Sequence, residues 1–171
     1  MENKKIFKII IPIVMIIGIA AIWFMQNQGT QENSNNLEFP LTVTSIDLDE
    51  LASYELPIII DFGSDECIPC QEMAPALEIV NEKMQGLAII QFIDVWEYPE
   101  AIGDFPVQVI PTQIFINSDG SPYSPSDEVA SVIEFYIYGD SETGEHFFTV
   151  HQGGLTEDEM LMILADMGAE L

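Results

Sequence analysis

The sequence predicts an α/β fold: a central mixed β-sheet flanked by helices and preceded by one N-terminal transmembrane helix. Three observations carry this prediction. Two apolar runs, 57–62 and 87–93, bracket a helical pattern and so form a βαβ unit with parallel strands. Further strand-like runs and a capped helix follow from residue 112 to the end, which makes the sheet mixed. Residues 9–25 form a 17-residue run without a charge.

The run from Ile9 to Met25 reaches most of the way across a bilayer core of about 30 Å at 1.5 Å per residue, and Lys8 can snorkel. Lys4, Lys5 and Lys8 precede it and no basic residue closely follows it. Residues 1–8 are therefore expected in the cytoplasm and the remainder outside the cell membrane, as a single-pass protein. A cleaved signal peptide is the competing reading. It requires small residues at the −3 and −1 positions, and beside Ala20-Ala21 the −3 place falls on Ile19. Residues 26–39 are polar and aperiodic and read as a flexible linker, leaving 40–171 as one α/β domain.

Within that domain, residues 41–46 alternate as a half-buried strand and 47–53 follow as a short helix. The run 57–62 reads as a strand buried on both faces, with Asp61 stranded in it. Met73, Leu77, Val80 and Met84 form one stripe of a helix over 68–84, which Gly86 stops before the strand 87–93. A short helix near 97–104 leads to a strand at 112–116, and 117–120 is a turn. Residues 121–131 read as irregular, and 132–138 and 146–151 as strands. The last helix starts at Glu157 behind a Thr156/Glu159 capping box, with Met160, Ile163, Leu164 and Met167 as its buried stripe.

Composition narrows the function. The 171 residues carry 4 basic and 29 acidic side chains, a net charge of −25, and beyond residue 25 a single lysine, Lys83, faces 28 acids. Such a polyanion excludes nucleic acid and anionic membrane surfaces as electrostatic partners. A hydrophobic content of 48% excludes disorder.

Two cysteines are too few for a disulfide scaffold, so their placement matters. Cys67-Ile68-Pro69-Cys70 lies where a buried strand turns into a helix. That position puts Cys67 at the helix N-terminus, where free N–H groups and the dipole favour a thiolate, with Cys70 one turn on. Thiols at this spacing form or break a disulfide through a mixed-disulfide intermediate. A purely structural clip is the bland alternative, and its four-residue ring stabilises by only about 2 kcal/mol. A zinc site would need His146 and His151, whose odd spacing on a strand points them to opposite faces. No metal and no cofactor is expected.

The segment Ile58-Ile-Ile-Asp61-Phe62, then Cys67-x-Pro69-Cys70 and Pro75, together with Ile110-Pro111-Thr112 before a strand, resembles the thioredoxin superfamily over roughly residues 40–170. The resemblance implies a thioredoxin-like fold and a membrane-anchored protein-disulfide oxidoreductase. It assigns Cys67 as the attacking thiol, Cys70 as the resolving thiol, and Asp61, with a raised pKa, as the acceptor of the Cys70 proton. It further implies a cis Ile110–Pro111 bond facing the cysteines and a helix kinked at Pro75. Ile68, Pro69, Ile110, Pro111 and Gly153 are the substrate-binding surface it implies.

The departures from the family are specific. Glu66 stands where a tryptophan often precedes the first cysteine, and Gly63 where another aromatic is usual. The lysine that commonly neighbours the buried acid is absent, that stretch reading Ile90-Gln91. Asp65, Glu66 and Glu72 around the thiols oppose thiolate formation, so a raised Cys67 pKa and a reducing bias are expected. The expected partners are protein substrates with disulfides and an integral-membrane thiol electron donor, with the protein itself a monomer. A disulfide-forming oxidase or isomerase is the runner-up, and a copper chaperone using the same thiols a third reading. Residues 118–145 exceed what a minimal member needs, and nothing in them identifies a ligand.

Overall fold

The computed structural model describes residues 38–171. The expected cytoplasmic stretch 1–8, the anchor 9–25 and nearly all of the linker 26–39 lie outside the described residues. Among the described residues no helix is long and apolar enough to cross a membrane.

The elements run α1 (Leu48–Ala52), β1 (Ile58–Gly63), α2 (Ile68–Lys83), β2 (Ile89–Asp94), a 3-10 turn (Pro99–Ile102), β3 (Thr112–Ile116), α3 (Asp127–Ala130), β4 (Tyr136–Gly139), β5 (His146–Gln152) and α4 (Glu157–Asp166). The five strands form one sheet in the order β2-β1-β3-β5-β4. β1 and β2 are parallel, Asp61 opposite Phe92, as a helical crossover requires. β3 runs antiparallel to β1, and this register sets Gln113 directly opposite Asp61. β5 and β4 complete the antiparallel side.

Because side chains alternate along a strand, the sheet has two apolar faces. Ile59, Ile90 and Phe115 pack under α2 and α4 against Met73, Leu77, Val80, Met160 and Leu164. Ile58, Ile60, Phe62, Ile89 and Ile114 pack on the other face with Phe39 and Leu51. Each helix therefore buries the stripe its periodicity predicts, while Met167 is only partly buried at the rim. Asp61 belongs by parity to the α2 face, one step from Ile59. Both bonds of the Thr156/Glu159 capping box are present at the start of α4. Lys83 of α2 pairs with Glu157 of α4, joining the two helices on that face.

Three expected elements differ. The strand over 41–46 reduces to one parallel bridge, Thr42 to Phe92. Side-chain amides capture the chain just before it: Gln85 bonds both the N–H (2.6 Å) and the carbonyl (2.9 Å) of Phe39, and Asn81 donates to the same carbonyl. Residues 121–131 are not wholly irregular, since Ser126 caps the one-turn α3 by accepting from Val129 N. The strand expected from 132 starts at Tyr136, because Val132 and Ile133 still bond back to the Val129 carbonyl and Ile133 is buried. This inserted region is tied to α4 through Asp166, which accepts from Tyr123 Oη and Ser126 N.

Candidate active site

The site is assembled where β1 ends and α2 begins. Strand β1 delivers Asp61 into the interior and ends at Gly63. The chain then turns through Ser64–Glu66, and Cys67 becomes the N-cap residue of α2 in extended conformation, with no side-chain cap bond. Pro69 occupies the first turn, where its missing N–H leaves no internal bond unmade. Pro75 lies inside the helix, where it withholds a donor from the Gln71 carbonyl. Cys67 and Cys70 are joined by a disulfide with their Cα atoms 5.2 Å apart, and both are buried. Ile68 between them is 68% exposed, so the apolar tip of the active-site turn faces outward.

The turn is fixed by one carboxylate. Asp94, at the end of β2, accepts through Oδ2 from Asp65 N (2.9 Å) and Ser64 Oγ (3.2 Å). Its Oδ1 accepts from Trp96 N (2.9 Å) and Glu97 N (3.1 Å). Those four bonds hold its pKa below the usual carboxylate value against the opposing pull of partial burial. Ser64 accepts in turn from Glu66 N, and Ser64 O from Cys67 N.

Opposite the cysteines, the Ile110–Pro111 peptide bond is cis. Cys67 Sγ lies 3.8 Å from the Ile110 carbonyl oxygen. Pro111 O accepts from Gly153 N (2.9 Å), and Gly153 has a φ of +117°, a conformation in which a side chain would be strained. Of the residues expected to form the substrate surface, Ile68, Pro69 and Gly153 are at least partly accessible, as is Ile110, while Pro111 itself is buried.

Behind the disulfide lies Asp61, only 1% exposed. Gln113 Nε2 donates to its Oδ1 at 2.7 Å. Desolvation raises the Asp61 pKa to about 7, outweighing this hydrogen bond, which pulls the other way. A Cβ built on Gly63 would stand 3.3 Å from Cys70 Sγ and 3.4 Å from Asp61 Oδ2, so both atoms border one small space. The same point is 2.8 Å from the Phe92 ring, closer than real contacts come. A cavity of about 250 Å³ opens here, lined among others by Asp61, Ser64, Cys70, Gln71, Glu78 and Phe92. It connects the buried acid and the second sulfur to the exposed side chains of Gln71 and Glu78.

Sequence reasoning missed two members of this arrangement. Asp94 reads as an ordinary strand-end acid until its four partners are seen. Gln113 is fully buried, and a polar residue at the second place of Thr-Gln-Ile-Phe-Ile, in phase with buried Phe115, was its signal. The two histidines have separate roles: His146 bonds Thr149 Oγ1, and His151 bonds the Glu134 carbonyl.

A buried disulfide at a helix N-terminus, with a carboxyl behind it and a cis-proline loop across from it, defines a thiol–disulfide protein. Known proteins narrow this further. The family model "Thioredoxin" matches residues 40–136. Thioredoxin of Listeria monocytogenes is 38% identical over 87 residues, covering 47% of this chain and 82% of that protein. Thioredoxin of Staphylococcus aureus is 31% identical over 101 residues, covering 56% and 95%. Among solved structures, a mutant thioredoxin from Halobacterium salinarum superposes with a TM-score of 0.54 at 23% identity, covering 80% of this chain and 96% of that one. Chloroplastic thioredoxin z gives a TM-score of 0.52 at 22% identity, covering 75% and 94%. The chain belongs to the thioredoxin family, and with its Cys67–Cys70 pair it is a thioredoxin-like thiol–disulfide oxidoreductase.

Proposed function

We propose that the protein is a membrane-tethered oxidoreductase that reduces protein disulfides outside the cytoplasmic membrane, and that it works as a monomer. The observation that carries the chemistry is the junction of Cys70 Sγ and Asp61 Oδ2 at the space beside Gly63. In the reduced protein the Cys67 thiolate attacks a substrate disulfide. One substrate thiolate leaves, and a mixed disulfide through Cys67 forms. Cys70 then gives its proton to Asp61, attacks Cys67 Sγ, expels the second substrate thiolate and leaves the Cys67–Cys70 disulfide. Asp61 suits the role because a base with a pKa near the working pH both takes and returns a proton.

Ile68, Pro69, Ile110, Pro111 and Gly153 receive the substrate segment. Pro111 O is already held by Gly153 N, so a bound peptide meets the remaining backbone groups of this loop. The reducing direction is supported by the exposed acids Asp65, Glu66 and Glu72, whose charge disfavours a thiolate and so favours the disulfide form. The tether is supported by the uncharged run 9–25 behind three lysines. An extracytoplasmic reductant must be recharged, and an integral-membrane thiol protein is the donor this topology implies.

The decisive experiment is a Cys70→Ser variant expressed in its native membrane. It should accumulate substrate proteins as mixed disulfides through Cys67, identified by mass spectrometry after alkylation. Failure to trap any protein, with Cys67 unreactive to alkylation, would sink the reading. A reduction potential above about −150 mV, near the strongly oxidising end of the family, would reverse the direction to oxidase.

A further inference from the structure

The buried acid has a partner that the known reaction does not use. Asp61 and Gln113 face each other as a cross-strand pair between β1 and β3, both essentially inaccessible. The Gln113 amide nitrogen donates to Asp61 Oδ1, and its second hydrogen has only the Met73 thioether in reach, at 3.6 Å. Gln113 Oε1 is, among the described residues, the one buried side-chain oxygen without a hydrogen-bond partner. Gln113 Oε1 therefore has acceptor capacity for a donor that Asp61 does not offer while it is ionised.

We propose that Gln113 is a positioning residue for the proton step, an amide that offers its NH2 to ionised Asp61 and turns its carbonyl to protonated Asp61. This rests on the reading of Asp61 as the acceptor of the Cys70 proton. A carboxylate only accepts hydrogen bonds, whereas a carboxylic acid has a hydroxyl to donate. While Asp61 is ionised, the amide stands as observed. Once Asp61 takes the Cys70 proton, a half-turn of the Gln113 amide pairs Oε1 with the new hydroxyl, while the NH2 takes the place that Oε1 held. When Asp61 gives that proton up, to solvent through the cavity or to a Cys70 thiolate on re-reduction, the amide turns back to the orientation seen here beside the disulfide. No atom of the amide is gained or lost: one proton moves between sulfur, carboxylate and solvent, and the amide only reorients.

The surroundings leave this role to Gln113. Strand β2 presents the Phe92 ring to the same cavity, α2 presents Cys70 and, at the mouth, Glu78, and the preceding turn presents Asp65. Both charged groups at that mouth are negative and exposed, so neither donates a bond to Asp61. By offering a donor to the ionised form and an acceptor to the neutral form, the amide keeps both protonation states of a dry carboxyl accessible.

Stopped-flow mixing of the reduced protein with 5,5′-dithiobis(2-nitrobenzoate) separates the steps. Attack by Cys67 releases a first thionitrobenzoate, and closure by Cys70 releases a second. The pH profile of the second phase is the readout. In Asp61→Asn its ionisation limb should vanish. In Gln113→Met, nearly isosteric and without a donor, the limb should move up by about one pH unit, slowing closure near neutrality about fivefold. The first phase should stay unchanged in the Gln113 variant. A Gln113→Met profile that overlays the wild type, while Asp61→Asn abolishes the limb, overturns the Gln113 proposal alone. A limb that survives Asp61→Asn overturns the proton-acceptor reading instead. The wild type gives an independent test that no folding defect can blur. The Gln113 side-chain amide resonances should titrate with the same midpoint as the Asp61 carboxyl carbon, and resonances flat across that titration refute the pairing.

Discussion

A single carboxyl in an apolar strand makes this domain's stability depend on pH in an unusual direction. Asp61 has a folded-state pKa of about 7 against an ordinary value of 3.8, so between those limits the folded protein holds a proton that the unfolded chain has lost. Its contribution is therefore fully present below 3.8 and is lost as pH rises towards 7, a span of order 4 kcal/mol. Asp61→Asn keeps the shape and removes the ionisation. Urea denaturation of the oxidised protein should show this variant gaining stability over the wild type at pH 8 and little of that gain at pH 4. Equal differences at the two pH values would mean that Asp61 is not desolvated in solution. Asp61 was legible in the sequence because nothing else polar interrupts its run. Gln113 was harder to read, because a glutamine in a short strand is ordinarily taken as a solvent-facing alternate; its phase with Phe115 was the one hint, and pairing with β1 shows that it points inward.

Among the elements, those with a long repeat were readable and those held by side chains were not. Helix α2 and helix α4 each carry an apolar stripe, and the runs 57–62 and 87–93 are broken only by Asp61 and Gln91, so apolar pattern with the stop and cap signals located these elements within two residues. The segment 41–46 has the alternation of a strand, yet it makes one bridge to β2, and Asn81 and Gln85 hold the chain at Phe39 just before it. Side-chain amides that hold a backbone in this way have no signature in hydrophobicity. The one-turn α3 is likewise too short to show a period. Helix α4 illustrates a terminal signal that the structure supports bond for bond. Thr156 Oγ1 accepts from Glu159 N, and the Glu159 carboxylate accepts from Thr156 N at 2.8 Å. Thr156→Ala should cost about 1 kcal/mol in chemical denaturation, with disulfide reduction unaffected. A loss below a few tenths would show that Glu159 alone satisfies the helix terminus.

At the scale of the whole molecule, charge decides which substrates arrive. Residues 38–171 carry one lysine, Lys83, and it is engaged by Glu157 on the α2–α4 face. Among residues 38–171 no free cation therefore offsets the exposed acids Asp65, Glu66 and Glu72, all within five residues of Cys67, and the apolar tip at Ile68 sits inside a negative field. Such a field accelerates encounter with cations and slows encounter with anions, over a range set by the Debye length. The consequence is selectivity in rate more than in affinity. Two peptides with the same disulfide, one flanked by lysines and one by glutamates, should be reduced at rates differing by about tenfold or more near 0.01 M ionic strength, with the basic one faster. Raising the salt to about 0.5 M shortens the screening length to a few ångströms, and the ratio should fall towards one. A ratio that persists at high salt would place the selectivity in direct contacts at the Ile68–Pro69 turn and the Ile110–Pro111 loop. A ratio near one at both salt concentrations would show that attack by Cys67, and not encounter, limits the reaction.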